Sequence, residues 1–148
     1  MSEPARILVV DDNPSNVKAL RQRLELEGHE VIEAVDGPTA LCSADEDAPD
    51  LILLDIMMPG MDGFEVCRRI KQGQEGFLPV IMVTALHDRD ALVRALDEGA
   101  DEYVRKPFEP VELMARVRSM LRIRRMYQEN RQLRDEIRAV RHRDLIGD

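Results

Sequence analysis

The chain has 148 residues, of which 44% are hydrophobic, and its formal net charge at pH 7 is −8. This length predicts one globular domain with an appendage, and the apolar runs are too short to cross a membrane. With no Trp, two Tyr and three Phe, the sequence offers no aromatic platform for stacking nucleic-acid bases. The N-terminus "MSEPAR" lacks an apolar signal region, so we expect a soluble cytoplasmic protein.

The charge is divided unevenly along the chain. Residues 116–143 carry ten arginines against three acidic residues, a local charge of +7, which leaves about −15 for the remainder. A globule this acidic argues against direct nucleic-acid binding by the main body.

The cysteines and histidines form no pattern typical of a metal site. Cys42 and Cys67 are far apart in the sequence, and we expect both to be reduced, buried thiols with a structural role. His29, His87 and His142 are scattered, and we expect each to be a solvated surface residue.

Five strand-like runs alternate with helical patterns along the chain. The runs are residues 6–10, 30–35, 51–54, 79–83 and 101–105, and helical patterns fill 14–28, 37–47, 63–73 and 88–99 between them. This alternation predicts an α/β fold, a doubly wound parallel sheet with helices on both faces. Gly28, Gly73 and Gly99 stand where three of the helices are expected to end.

The polarity of the runs predicts the order of the strands. Runs one, three and four are continuously apolar, as strands buried on both faces are. Runs two and five contain charged residues, as edge strands do: Glu30, Glu33, Glu102 and Arg105. Three apolar interior strands and two polar edges match the flavodoxin-like order 2-1-3-4-5, in which a crevice opens at the carboxyl ends of strands one and three.

Three aspartates follow these two strands directly, Asp11 and Asp12 after the first and Asp55 after the third. Three carboxylates in one crevice cannot all stay ionised without a counter-charge, and Mg²⁺ suits such oxygen ligands. Thr84 and Lys106 stand near the ends of runs four and five. A hydroxyl and an ammonium beside carboxylates predict a site for a phosphoryl group, which one aspartate would accept covalently.

Four motifs in this chain resemble the receiver domain of two-component response regulators over about residues 5–124. They are "VVDDN", "DLILLDIMMPGMDGFEV", "PVIMVTA" and "GADEYVRKPF", in the order and spacing of that family. The resemblance implies that Asp55 accepts a phosphoryl group from a sensor histidine kinase. It also implies that Asp11, Asp12 and Asp55 bind Mg²⁺ together with the backbone carbonyl of Met57.

The same resemblance assigns roles to residues on strands four and five. It implies that Thr84 and Lys106 contact the phosphoryl oxygens, that Tyr103 is the switch aromatic, and that the Lys106–Pro107 peptide bond is cis. Phosphorylation would draw Thr84 inward and let Tyr103 rotate. The domain would then be a signalling module and not an enzyme, apart from self-catalysed phosphotransfer and autodephosphorylation.

The C-terminal helix is predicted to be much longer than an ordinary globular helix. It starts near Glu109–Pro110, and no glycine or proline follows until Gly147. Its polar and apolar residues form a heptad seam with a and d positions: Ile123, Met126, Asn130, Leu133, Ile137 and Val140. We expect a receiver domain at 1–122 and a coiled-coil linker at 123–148.

This linker predicts a parallel homodimer through residues 123–144. Glu129 and Glu136 fall at g positions, where they would face Arg134 and Arg141 of a second chain. The alternative is an amphipathic helix that folds onto its own domain. The end of the chain, "RHRDLIGD", has some similarity to the entries of sigma-factor-dependent activator ATPase domains and of diguanylate cyclase domains. We therefore expect an output domain beyond it.

Two other functions stay open at this point. A haloacid-dehalogenase-like phosphatase also uses an aspartate nucleophile with Mg²⁺, but places it in a D-x-D motif after the first strand, where this chain has "DDNP". A constitutive coiled-coil dimerisation scaffold would carry an inert receiver, which the presence of Asp55, Thr84 and Lys106 disfavours.

Overall fold

The computed structural model of the protein describes residues 3–146. The expectations that rest on residues 1–2 and 147–148, including the end of the predicted linker, lie outside these residues. Strands and helices alternate through the described chain: β1 (Arg6–Val10), α1 (Pro14–Leu26), β2 (Glu30–Ala34), α2 (Gly37–Glu46), β3 (Leu51–Leu54), α3 (Gly63–Gly73), β4 (Val80–Thr84), α4 (Arg89–Asp97), β5 (Glu102–Arg105) and α5 (Pro110–Ile146).

The five strands form one parallel sheet in the order β2-β1-β3-β4-β5. The predicted flavodoxin-like order is therefore confirmed, and the two strands with charged residues lie at the edges. The strand limits differ from the predicted ones by a single residue at most. At β4 the strand begins at Val80, since Pro79 has no N–H to donate to the ladder, although its carbonyl accepts from the N–H of Ile52 at 3.0 Å.

Alternate residues of each strand face opposite sides of the sheet, as the twofold period of a strand requires. In β1, Leu8 and Val10 join a core cluster beneath α2, α3 and α4, whereas Ile7 and Val9 join a second cluster beneath α1 and α5. The sheet is thus covered on both faces, which explains why its central strands are continuously apolar.

The helices begin and end at residues whose chemistry suits those positions. Asp36, Asp62 and Asp88 cap α2, α3 and α4 through side-chain oxygens that accept backbone N–H groups, as N-cap aspartates commonly do. Gly28 (φ +92°) and Gly99 (φ +104°) follow α1 and α4 in the left-handed conformation, as predicted.

Gly73 does not end its helix in the predicted way. It is the last helical residue of α3, Gln74 follows it in an extended conformation, and the positive φ falls on Gly76 (+81°) in the next turn. The chain therefore turns three residues later than the glycine pattern suggested.

Two of the sequence expectations about burial are wrong. His29 is only 4% exposed, and its Nδ1 accepts the N–H of Ala5, just before β1, at 3.1 Å. Cys42 is exposed, whereas Cys67 is buried, and both are free thiols. Burial raises the pKa of the Cys67 thiol to about 12, which agrees with an inert structural role.

Helix α5 has 37 residues, and its two halves have different surroundings. The first half packs on the sheet through Leu113, Met114, Val117 and Leu121. From Met126 to Ile146 every residue is exposed. Among residues 3–146, no helix is long and apolar enough to cross a membrane.

Candidate functional site

Three carboxylates meet at the carboxyl edge of the sheet, just beyond β1 and β3. A ligand oxygen of each of Asp11, Asp12 and Asp55 lies within 4.8 Å of the others. Asp11 and Asp55 are only 2% and 7% exposed, whereas Asp12 is exposed. The site is therefore an acidic pocket with two buried carboxylates and an exposed carboxylate at its mouth.

The ammonium group of Lys106, just after β5, reaches into this pocket. Its Nζ lies 2.8 Å from Asp11 Oδ2 and 3.2 Å from Asp55 Oδ2. Burial alone would lower the pKa of Lys106, but the hydrogen bond to Asp11 and the charges of Asp55 and Asp11 outweigh it and raise the pKa. The ammonium therefore stays charged. The Lys106–Pro107 peptide bond is cis, as the resemblance implied.

Backbone and amide groups hold the two buried carboxylates in place. The N–H of Asn13 donates to Asp11 Oδ1 at 2.9 Å, and Asn16 Nδ2 donates to Asp11 Oδ2 at 3.2 Å. The N–H of Met57 donates to Asp55 Oδ1 at 3.1 Å. The loops after β1 and β3 thus fix the orientation of these two side chains.

Gly63 allows the start of α3 to approach the backbone of Asp55. A Cβ at this position would lie 2.3 Å from the carbonyl oxygen of Asp55 and 2.6 Å from Cα of Ile56. The N–H of Gly63 donates to the carbonyl of Ile56 at 2.9 Å. Any side chain here would push the loop that carries Asp55 away from α3.

Thr84 and Tyr103 are linked through one residue of the loop between β4 and α4. The hydroxyl of Thr84, which is fully buried, accepts the N–H of Leu86 at 3.3 Å. The hydroxyl of Tyr103 donates to the carbonyl of Leu86 at 2.8 Å. Burial raises the pKa of the Tyr103 hydroxyl, so it remains a donor. In this arrangement the Thr84 hydroxyl is engaged with the loop and not with the carboxylates.

The donors in the pocket fit a divalent cation. Three carboxylates face one ammonium, so the pocket carries an excess of two negative charges. Mg²⁺ prefers oxygen ligands and usually keeps several bound waters. The carboxylates supply the oxygens, and the exposed Asp12 leaves room for water. Asp11, Asp12 and Asp55 are therefore the groups that would hold it, and the participation of the Met57 carbonyl stays a prediction from the resemblance.

The structure thus brings Asp11, Asp12, Asp55 and Lys106 into one pocket, and it places Thr84 and Tyr103 on the neighbouring strands. Their assigned roles stay predictions.

Sequence reasoning did not single out Asn16, Gly63 or Leu86. The signals for the first two are weak: an amide on the first turn of α1 and a glycine directly after the capping Asp62. Leu86 contributes only backbone groups, so its side chain gives no signal at all.

The sequence of this chain matches the model of the response regulator receiver domain over residues 7–118. Response regulator PleD of Caulobacter vibrioides (strain NA1000 / CB15N) is 50% identical over 129 residues, which are 86% of this chain and 28% of PleD. The alkaline phosphatase synthesis transcriptional regulatory protein PhoP of Bacillus subtilis (strain 168) is 47% identical over 117 residues, 79% of this chain and 48% of PhoP. The chain therefore spans less than half the length of these two relatives.

Solved structures of receiver domains are also similar to this chain. A CheY-like response regulator receiver domain protein from Methanospirillum hungatei JF-1 has a TM-score of 0.79 at 31% identity, covering 84% of this chain and 98% of that one. The BeF3-activated N-terminal receiver domain of RstA from Klebsiella pneumoniae has a TM-score of 0.75 at 32% identity, covering 79% and 98%. The similarity therefore extends across the α/β domain.

Proposed function

The chain belongs to the response regulator receiver domains of two-component systems, and from this premise we propose that Asp55 accepts a phosphoryl group from a sensor histidine kinase. The observation that carries the proposal is the placement of Asp55. Its carboxylate is buried, it bonds to the ammonium of Lys106, and it shares a pocket with Asp11 and Asp12. Receiver domains are signalling modules, and we propose no further catalytic activity for this one.

The proposed reaction is an in-line displacement at phosphorus. A carboxylate oxygen of Asp55 attacks the phosphorus of the phosphohistidine, and the P–N bond breaks with its electron pair going to the imidazole. The product is an acyl phosphate on Asp55. Asp11, Asp12, Asp55 and the Met57 carbonyl would hold Mg²⁺, which would supply charge neutralisation at the phosphoryl oxygens.

Lys106 neutralises the charge that develops on the transferred group. Its ammonium already lies 3.2 Å from Asp55 Oδ2, so it needs only a small side-chain movement to reach an oxygen of the new phosphoryl group. Its raised pKa keeps it a hydrogen-bond donor throughout. A charge-assisted bond of this kind is stronger than a neutral one.

We propose that Leu86 transmits the change from Thr84 to Tyr103. When the Thr84 side chain rotates so that its hydroxyl donates to a phosphoryl oxygen, the hydroxyl oxygen moves away from the Leu86 N–H and that hydrogen bond is lost. The loop can then move, and the bond between Tyr103 and the Leu86 carbonyl is strained or lost. Tyr103 can rotate toward the vacated space, which changes the surface formed by α4, β5 and α5.

The remaining proposals concern the whole protein. We propose that residues 1–122 form the receiver domain and 123–148 a coiled-coil linker, which pairs with a second copy through 123–144. We further propose an output domain beyond the linker, as the greater lengths of PleD and PhoP suggest. We also propose that the protein is cytoplasmic and that this region does not bind nucleic acid directly.

Exposure to a small acyl phosphate in the presence of Mg²⁺ tests the phosphoryl acceptor. We expect the wild type to gain one phosphoryl group by mass spectrometry, and Asp55→Asn to gain none, because an amide is not a nucleophile here. Asp62→Asn is the matched control, since that carboxylate only caps α3, and it should be labelled like the wild type. Continuous turnover of phosphate esters would instead indicate a phosphatase, and no reaction would indicate an inert scaffold.

A further inference from the structure

The heptad seam of α5 is uncovered in this structure. Its apolar members are 41–57% exposed: Ile123, Met126, Leu133, Ile137 and Val140. Asn130, at the central a position, is exposed as well. Five large apolar side chains in one row on a helix form a surface that a partner helix would cover.

The seam points away from the globular domain to which it is attached. Successive residues of an α-helix are rotated by about 100°, which places the seam on the side opposite the buried stripe of Leu113, Met114, Val117 and Leu121. The alternative in which this face folds onto its own domain is therefore not the arrangement adopted by the described residues.

Contacts just beyond the buried stripe fix the rotation of the helix. The guanidinium of Arg124 donates to the carbonyl of Phe77, in the loop between α3 and β4, and its Nε lies 3.5 Å from Asp50 Oδ1. The ring of Tyr127 packs against that of Phe77, with 6.0 Å between the ring centres. These contacts form a clamp, defined by Asp50, Phe77, Arg124 and Tyr127, that keeps the seam facing outward.

The seam and the carboxylate pocket lie at opposite ends of the domain. The pocket is at the carboxyl ends of the strands, whereas Leu121 and Arg124 lie beside Ala5 and Asp50, near the amino ends of β1 and β3. The ion pairs of the pocket, between Lys106 and the carboxylates of Asp11 and Asp55, involve no residue of the seam. Pairing through the seam therefore needs no conformational change at the pocket.

We infer that a second copy of this chain occupies the seam whether or not Asp55 is phosphorylated, with the two receiver domains on opposite flanks of a parallel coiled coil. The inference rests on the proposed dimer and defines its regulation. Phosphorylation would then alter the surfaces of a dimer that already exists and would not create the dimer.

Charge complementarity and preorganisation favour this occupant. In a parallel pair, Glu129 and Glu136 face Arg134 and Arg141 of the second copy, so both sets of contacts are attractive. Asn130 can bond its counterpart only in the parallel, in-register arrangement. The packed first half of α5 already serves as the helix nucleus, so association does not have to overcome the unfavourable nucleation of a free helix.

Sedimentation velocity tests the inference with the full chain. The wild type, the wild type with beryllofluoride and Mg²⁺, and Asp55→Asn should all be dimers at tens of micromolar, with dissociation constants within about threefold of one another. Leu133→Lys should weaken the dimer by at least about 100-fold, because each copy loses a buried leucine. A wild type that is monomeric until beryllofluoride is added would overturn the inference.

Cysteine cross-linking in a Cys42→Ser background tests the arrangement. Val140→Cys, at a d position near the end of the seam, should form an intermolecular disulfide, which an antiparallel pair could not do. Ala139→Cys, at the neighbouring c position outside the a/d seam, is the matched control and should not cross-link. Equal cross-linking of both variants, or of neither, would contradict the parallel seam.

The two proposals fail in different measurements. If Asp55 takes up no phosphoryl group but the chain is a cross-linked dimer, the phosphoacceptor role is wrong and the seam assignment stands. If Asp55 is labelled but the chain sediments as a monomer, the seam assignment is wrong and the phosphoacceptor role stands.

Discussion

Replacing Lys106 by methionine should destabilise the metal-free protein and at the same time increase its stabilisation by Mg²⁺. Lys106 is the counter-charge for two carboxylates, at 2.8 Å from Asp11 and 3.2 Å from Asp55. Methionine keeps most of the side-chain volume but removes the charge. Asp11 and Asp55, which are both buried, would then be left without their cation.

The size of the loss follows from the burial of this ion pair. Removing one partner of a fully buried pair typically costs about 3–5 kcal/mol, since the remaining charge is uncompensated. The side chain of Lys106 is 19% exposed, and water reaches the pocket at Asp12. We therefore expect a loss of about 2–3 kcal/mol in the free energy of unfolding.

Mg²⁺ should reverse part of this loss. A cation that binds only the folded state stabilises it by about 2.7 kcal/mol at 100 times its dissociation constant. Without the repelling ammonium, the carboxylates should bind Mg²⁺ at least about tenfold more tightly, which adds about 1.4 kcal/mol at the same concentration.

Urea denaturation with and without Mg²⁺ measures both effects. Lys71→Met is the matched control, because Lys71 also pairs with a partly buried carboxylate, Asp101, at 2.7 Å, but lies outside the pocket. It should lose stability while showing the wild-type response to Mg²⁺. A Lys106→Met variant with unchanged metal-free stability, or with a smaller Mg²⁺ response than the wild type, would refute this reasoning.

Three further predictions concern single residues. Asp12→Ala should remove most of the rise in melting temperature that Mg²⁺ causes, with metal-free stability changed by about 0.5 kcal/mol or less; a full Mg²⁺ response would exclude Asp12 as a ligand. Gly63→Ala should cost about 3 kcal/mol in urea denaturation, because its Cβ would overlap the carbonyl of Asp55; unchanged stability would contradict the close approach. Burial lowers the pKa of His29, so the unfolded chain binds a proton more readily than the folded one. The stabilisation is complete above the usual histidine pKa and is lost as pH falls through the folded value. His29→Gln should flatten this pH dependence in thermal melts; an unchanged slope would rule His29 out as its source.

Strand polarity identified the two edge strands, and a match to the flavodoxin-like order then gave the order of the three interior strands. A charged side chain such as Glu33 or Glu102 is tolerated in an edge strand, which pairs with a neighbour along one side only. Strand β3 pairs along both sides and is covered on both faces, and it contains no charged residue. Once the order is fixed, topology alone brings the ends of β1 and β3 together. The meeting of Asp11, Asp12 and Asp55 could therefore be predicted without any knowledge of side-chain packing.

Contacts between distant parts of the chain could not be predicted in this way. The bond between Arg124 and Phe77 joins residues 47 positions apart, and that between Ala5 and His29 joins residues 24 positions apart. Neither pair leaves a periodic trace in the sequence. The burial of His29 and the clamp on α5 depend on how the elements pack, so they become visible only in the folded chain.

Locating the acyl phosphate on a single residue tests the central claim most directly. After reaction with a small acyl phosphate and Mg²⁺, treatment with borohydride reduces an aspartyl phosphate to homoserine, which peptide mass spectrometry can place in the sequence. We predict homoserine at position 55, with none when EDTA replaces Mg²⁺. Homoserine at Asp11 or Asp12 in place of Asp55, or an unmodified chain under conditions that phosphorylate another receiver domain, would contradict the account.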